Sequence, residues 1–446
     1  MKAYLSYKAS EYGWIGDIPS HWKIGKLKHF SQINPTKNPD LISKDSDELV
    51  TFLPMEKVNA DGTYELSLKR PINELSSGFT YFELNDVIVA KITPCFENGK
   101  GALLSNLDGQ IGFGSTEFHV LRALPEISQP KFLYYLTQSH LFKTTGEAFM
   151  YGAAGQKRVP TSHITDFPFS CPPLPEQQAI ADFLDRKTAQ IDTLIEKKQR
   201  QIDLLHEQRT ALINHAVTKG LNPKVKMKDS GVEWLGEIPS HWEVIRLKHL
   251  LSEGLRNGIF KKKDDFGSGT KLVNVSDLYQ DNYLVNYESL DRVQTNESEY
   301  SLFKVSSGDI FFVRSSLKLE GVGASVCITE TPEPTVFECH VVKGSPAKEK
   351  INSLFLIYFL NSYKTRHKLV ASAETVTMTT LRQSTIASLE IFVPPLNEQD
   401  KILEYINKEN ESFEKEFSLL RNQIALLQEY RTALISEAVT GKVDIR

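Results

Sequence analysis

Four cysteines stand among 446 residues. Cys95, Cys171, Cys327 and Cys339 are scattered, with no CxxC pair and no Cys/His group at ligand spacing, which argues against a zinc module and against a disulfide framework. Four inert thiols are the expectation, with no metal and no cofactor. No apolar run approaches the length of a membrane span, and the opening MKAYLSYKASEY lacks the apolar core of a signal peptide. A cytoplasmic chain with no membrane partner is expected. A basic surplus is missing too: 52 Lys and Arg face 56 Asp and Glu, for a net charge of −4. Residues 1–172 carry 17 basic against 18 acidic groups, and residues 397–446 carry 7 against 10. That balance excludes a stand-alone, non-specific nucleic-acid coat, so any phosphate affinity must be local or shared with a partner.

What the chain does have is repetition. Residues 10–30, SEYGWIGDIPSHWKIGKLKHF, return at 230–250 as SGVEWLGEIPSHWEVIRLKHL with 11 of 21 positions identical, shifted by 220. EQRTALINHAVT from Glu207 returns as EYRTALISEAVT from Glu429, shifted by 222, with 9 of 12 identical. Two unrelated pairs displaced almost equally mean that the whole chain is an internal duplication. Two like halves imply an approximate twofold axis, which suits two half-sites on one DNA duplex but equally suits a scaffold.

Each half runs in the same order: the WxGxIPxHW block, a segment rich in short strands, a Pro-Pro-Leu stop and a long polar helix. The stops are CPPLPEQQ at 171–178 and VPPLNEQD at 393–400. Paired prolines end the preceding element, while Pro175 in a first turn, or Asn397 as an N-cap, starts a helix. Boundaries follow at 1–174, 175–220, 221–396 and 397–446, with two globular domains and two spacer helices.

The fold class is α+β, with two mixed domains joined by two long antiparallel coiled-coil helices. A heptad seam carries Ile191, Ile195, Ile202, Leu205 and Leu212 in the first helix, broken at Arg209. The second seam carries Phe413, Phe417, Leu420, Ile424, Leu427 and Leu434, broken at Arg431. The recurring arginines read as a register device, a partner contact, or simple snorkelling from the edge of the pair. Because the second Trp block follows the first helix directly, its twin at Trp14 should dock where the second helix ends, bringing the termini together. Alternating runs after Phe82 and Phe303 read as strands, and 132–136 and 355–360 as short helices.

Taken together, the WIGDIPSHW and WLGEIPSHW starts, the PPLPEQQ and PPLNEQ stops and the RTALI…AVT helix ends resemble the specificity subunit of a Type I restriction-modification system. The resemblance spans the chain in the right order. It implies that each globule is a target-recognition domain reading one part of a bipartite double-stranded DNA sequence. It further implies that the helices set the separation and bind two methyltransferase subunits, with restriction subunits for translocation and cleavage beyond them.

Candidate DNA contacts follow from residue type. In the first domain they are Lys91, Thr93, Asn98 and Lys100 in KITPCFENGKG, Ser115 and Thr116 in GFGSTEF, and Gln156, Lys157 and Arg158 in GAAGQKR. In the second, Arg314, Ser315, Ser316 and Lys318 stand where the first has Lys91 onward, and Thr379, Thr380 and Arg382 stand near the place of GQKR. Lys261, Lys262 and Lys263 precede two aspartates, a solvated turn or a phosphate clamp. Divergent loops on like scaffolds imply an asymmetric site. Trp14, Trp22, Trp234 and Trp242 are expected to pack rather than stack on bases, and His21 and His241 to act as structural caps.

An enzymatic reading finds no support. GFG at 112 and GVG at 321 lack the following helix of a nucleotide fingerprint, and no Gly-Lys-Ser/Thr phosphate loop occurs. The Pro-Pro pairs also differ from the motif of amino-methyltransferases. The rival is a duplicated adaptor that binds only proteins, and a methylation-only complex without a nuclease is a further alternative.

Overall fold

The computed structural model describes residues 2–37, 47–153, 155–375 and 378–445. The chain forms two compact units, Met1–Gln199 with Leu420–Arg446 and Arg200–Leu419.

In the first unit, one four-stranded sheet orders Lys69–Pro71, Leu49–Leu53, Ile111–Gly114 and Thr80–Glu83, with the middle two parallel. A second sheet orders Ser31–Ile33, Phe118–Ala123, Val87–Ala90 and Gly101–Leu103, all antiparallel. Val87–Ala90 is buried throughout, as a continuous β-branched run inside a sheet should be. The helices Pro130–Gln138 and His140–Ala148 cover it through Phe132, Leu133, Leu136 and Phe142.

The second unit repeats this order on different residues. Leu251–Asn257, Val341–Pro346, Ile310–Val313 and Ser325–Cys327 form the antiparallel sheet. Asp291–Val293, Phe266–Val273 and Thr335–Phe337 form the other, again with one parallel ladder. Ser353–Leu360 and Tyr363–Ala371 take the place of the covering helices.

The first long helix spans Leu174–Lys219 and the second Leu396–Val439. At about 1.5 Å per residue they are roughly 69 and 66 Å long. Their pairing is antiparallel inside each unit. In the first, Arg431 Nε donates to Asp192 Oδ1 (2.9 Å) and Lys198 Nζ to Gln423 Oε1 (2.6 Å). In the second, Arg209 Nε donates to Asn410 Oδ1 (2.9 Å) and its Nη1 to Glu414 Oε1 (3.0 Å), while His206 stacks on Phe417 at 4.2 Å. Asp192 and Glu414 are themselves 222 residues apart, so both seam arginines reach across to the equivalent acid. Ile191, Ile202, Phe413, Phe417 and Leu434 are buried. Ile195, Leu205, Leu212, Leu420, Ile424 and Leu427 are only half-buried.

Each long helix starts on the same fixings. Gln177, fully buried, accepts from the Gln129 N–H (2.8 Å) and donates to the Ile127 and Pro172 carbonyls (2.9 Å each). Gln399, also fully buried, accepts from the Asn352 N–H (2.8 Å) and donates to the Pro394 and Lys350 carbonyls (2.8 and 3.3 Å). His21 and His241 meet the first-turn carboxylates Glu176 and Glu398, each at 2.7 Å.

The helix ends are matched as well. Gly220 and Gly441 leave in the left-handed region (φ 74° and 73°), and a Cβ there would press on Trp242 and on Pro19 and Trp22 respectively. Trp22 and Trp242 are fully buried. Lys442 Nζ donates to the Ile15 and Asp17 carbonyls (2.8 and 2.6 Å), and Lys2 bridges Asp444, so the two ends of the described chain meet in the first unit.

Candidate nucleic-acid interface

In the first unit the strand Val87–Ala90 runs out into the loop 91–100. That loop closes on itself: the Ala90 N–H donates to the Lys100 carbonyl (2.9 Å), Phe96 to Ile92 (3.0 Å) and Gly99 to Phe96 (2.8 Å). Its outward limb is then captured by 157–159. The Thr93 N–H donates to the Lys157 carbonyl (2.9 Å), the Lys157 N–H to Thr93 Oγ1 (3.1 Å) and the Val159 N–H to the Lys91 carbonyl (2.8 Å), while Ile92 bridges Arg158. The third segment joins through Glu117. Its carbonyl accepts from the Lys91 N–H (2.9 Å), and its carboxylate takes the Arg158 guanidinium at 2.7–3.1 Å. Three stretches whose contacting residues lie up to 68 positions apart in sequence thus form one ledge.

Electrostatics sorts the ledge. The Arg158 hydrogen bonds hold the Glu117 carboxyl below its ordinary range against the opposing pull of burial, and Glu117 in turn raises Arg158. This pair is internally neutral. Lys100 lies half-buried with Nζ 3.5 Å from the Met55 carbonyl, and Lys91 is half-buried beside Glu117. Asn98, Thr116, Gln156 and Lys157 are exposed, and Ser115 is half-buried, accepting from the Glu117 N–H (3.2 Å). Among the described residues no ion pair engages Lys157. Beneath the ledge His119 is buried with Nε2 2.9 Å from the Val159 carbonyl, and burial pushes its pKa down.

The second unit makes the same junction with a different surface. The strand Ile310–Val313 continues to Ser315–Ser316, which pairs antiparallel with Thr379–Thr380, and Glu374–Thr375 adds on the far side. The Arg314 N–H donates to His340 (2.8 Å) and its carbonyl accepts from Leu381 (2.9 Å). Ser315, Ser316 and Thr379 are buried, so this part of the residue list lies inside the ladder rather than on its surface. Ser315 Oγ meets Thr380 Oγ1 (3.2 Å), and Ser316 Oγ accepts from the Tyr279 hydroxyl (3.3 Å) and the Lys318 N–H (3.1 Å).

Lys318 is exposed, and Arg382 is exposed but paired with Glu374 (2.9 Å). A cavity of about 940 Å³ opens here, lined among others by Tyr279, Ser316, Leu317, Lys318, His340 and Met378. The lysine run is split: Lys261 turns inward to Glu299 (2.8 Å), whereas Lys262 and Lys263 are exposed on a tight turn.

Sequence reasoning passed over several exposed apolar side chains at these loops. Phe149 is 63% exposed and Tyr151 68%, the latter bridging Arg158; Leu317 is 86% exposed. Aromatic residues beside glycines, as in FMYGAAG, were the available signal. Flat rings of this kind stack on bases without regard to sequence. Of metal-ligand types, Glu338, Cys339 and His340 place one donor atom each within 4.8 Å of one another.

The arrangement defines a class: a duplicated α+β chain whose halves present unlike loop ledges on like frames, each tied to a pair of long helices. The Type I restriction modification DNA specificity domain matches residues 19–204 and again 239–424. The chain belongs to that family. The Type I restriction enzyme EcoAI specificity subunit of Escherichia coli is 31% identical over 247 residues, 55% of this chain and 40% of that protein. The EcoEI specificity subunit of Escherichia coli is 30% identical over 208 residues, 46% of this chain, so the aligned part spans only 34% of its length.

In fold, the chain is similar to one from a structure described as the basis of complex assembly and conformational transition of the type I R-M system (TM-score 0.69, 17% identical, 96% and 99% covered). It is also similar to the HsdS subunit from Thermoanaerobacter tengcongensis (TM-score 0.54, 18% identical, 96% and 98% covered). Among the described residues no helix is long and apolar enough to cross a membrane.

Proposed function

We propose that this chain is the non-catalytic, DNA-reading specificity subunit of a Type I restriction-modification complex, with one half-site addressed by each unit. The observation that carries the reading is the pair of junctions: the exit of an equivalent strand is laddered to a second loop in both units, by 91–93 with 156–158 and by 314–316 with 379–381. Common frames with unlike side chains suit an asymmetric, two-part DNA sequence better than a palindrome. Exposed Asn98, Thr116, Gln156 and Lys157 are the groups offered to DNA in the first unit, and Lys262, Lys263 and Lys318 in the second.

The long helices set the gap between half-sites and recruit two methyltransferase subunits. Restriction subunits complete the assembly. The slight acidity of the whole fits this division, since much of the phosphate affinity then comes from partners.

Methylation mapping of DNA modified by the chain with its methyltransferase tests both parts. Gln156→Ala with Lys157→Ala is expected to relax one half of the modified motif and leave the other unchanged. Deleting four residues at 222-related positions of both helices is expected to alter the gap. A motif changed in both halves by the loop variant, or a gap unaltered by the deletion, would refute the corresponding part.

A further inference from the structure

Glu338, Cys339 and His340 lie between the strands Thr335–Phe337 and Val341–Pro346. A strand continued through them would send Cys339 to the face opposite its neighbours. A tight turn prevents this. The Val341 N–H donates to the Glu338 carbonyl (3.0 Å), and the His340 N–H donates to Glu338 Oε2 (3.0 Å).

The turn is also tied to three other segments. The Glu338 N–H donates to the Val273 carbonyl (3.1 Å), the His340 carbonyl accepts from the Arg314 N–H (2.8 Å), and Ile259 bridges Glu338. A fixed backbone therefore presents a carboxylate oxygen, a thiol sulfur and an imidazole nitrogen within 4.8 Å of one another. Glu338 and His340 are also among the residues lining the cavity of about 940 Å³ described above.

The donor set selects the ion. Magnesium and calcium require oxygen ligands, whereas mixed oxygen, nitrogen and sulfur donors suit zinc and its divalent neighbours. Tetrahedral donors at about 2.0–2.3 Å from zinc lie roughly 3.3–3.8 Å apart. Closing from 4.8 Å takes about 1 Å of movement, within reach of rotation about the Glu338 and His340 side chains on an unmoved backbone.

We propose that Glu338, Cys339 and His340 bind one divalent transition-metal ion of the zinc class. On binding, the Cys339 thiol releases its proton to solvent as the sulfur–metal bond forms, and the metal keeps its oxidation state. Three protein donors leave one tetrahedral position open for water. The site is independent of whether the cavity meets DNA.

Cobalt(II) titration of the untagged full chain, without DNA, tests the assignment. A thiolate-to-cobalt charge-transfer band and visible d–d bands of a four-coordinate site are expected, saturating at one equivalent and lost on adding zinc. Cys339→Ser should abolish the charge-transfer band while keeping the circular dichroism and metal-free melting of the parent. Loss of an outer hydrogen-bond partner already weakens metal sites by about 10–100-fold, so His340→Ala and Glu338→Gln should each weaken binding at least about tenfold. No charge-transfer band at one equivalent overturns the proposal. So does a band that survives Cys339→Ser, or cobalt affinity unmoved in both of the other variants.

Discussion

Replacing Gln177 by Leu tests how firmly the first long helix is seated. Leucine nearly fills the same volume, so the loss is chemical rather than steric. The Gln129 N–H and the carbonyls of Ile127 and Pro172 lose their bonds to the glutamine. Three neutral hydrogen bonds at about 1 kcal/mol each give roughly 3 kcal/mol, the Pro172 carbonyl keeping only the weak Cys171 thiol contact (3.6 Å). A typical domain holds only about 5–15 kcal/mol in all. Gln399→Leu should cost slightly less, because one of its three bonds is long at 3.3 Å.

The two sites share no partner, so the double variant should add to within about 0.5 kcal/mol. Urea unfolding followed by circular dichroism measures the totals, and amide exchange over 127–136 against 350–360 assigns each loss to its unit. Losses below about 1 kcal/mol for both variants would show that these glutamines are bystanders.

Other outcomes follow from the same geometry. Lys157→Ala should lower the slope of log affinity against log salt by about 0.9 on every duplex, as one lost phosphate contact does; an unchanged slope removes Lys157 from the interface. Arg431→Met breaks a two-pronged contact to exposed Asp192, and Arg209→Met breaks bonds to Asn410 and exposed Glu414; each should cost about 0.5–1.5 kcal/mol, whereas no loss on unfolding would favour simple snorkelling. His119 carries a folded pKa below its unfolded value, so the unfolded chain binds the extra proton as pH falls below about 6.5. Stability in the first unit is therefore full above that pH and lost on acidification through the folded value. His119→Gln should flatten the melting temperature between neutral pH and pH about 5.5, and an equal slope in both proteins would exclude His119.

Much of the architecture is legible because its signals are local. Two prolines followed by Leu and an acid mark a helix start without tertiary context, and an offset of 222 residues pairs Arg209 with Arg431 before any contact is known. The heptad pattern names the inward face but not its depth, which is why Leu205, Leu420 and Ile424 end half-buried while Phe417 is sealed. Alignment by shift also matched Lys91 onward with Arg314 onward, and both segments leave equivalent strands. What residue type cannot reveal is which polar groups are consumed internally. Arg158 is occupied by Glu117 and Lys261 by Glu299, and Ser315, Ser316 and Thr379 sit within a ladder. Those outcomes depend on pairings across tens of residues. The proposed donors Glu338, Cys339 and His340 stand side by side in sequence, a pattern that a search for separated Cys and His pairs does not register.

The buried glutamines, the His–Glu contacts and the Trp–Gly packings all find their partners within their own unit, and they recur at Trp22 and Gln177 as at Trp242 and Gln399. Each stretch between such points behaves as a cassette with standard fittings at both ends. On the proposed function, replacing one cassette by another of different length and surface would leave the fittings intact, so one half-site preference would change without redesigning the rest of the molecule.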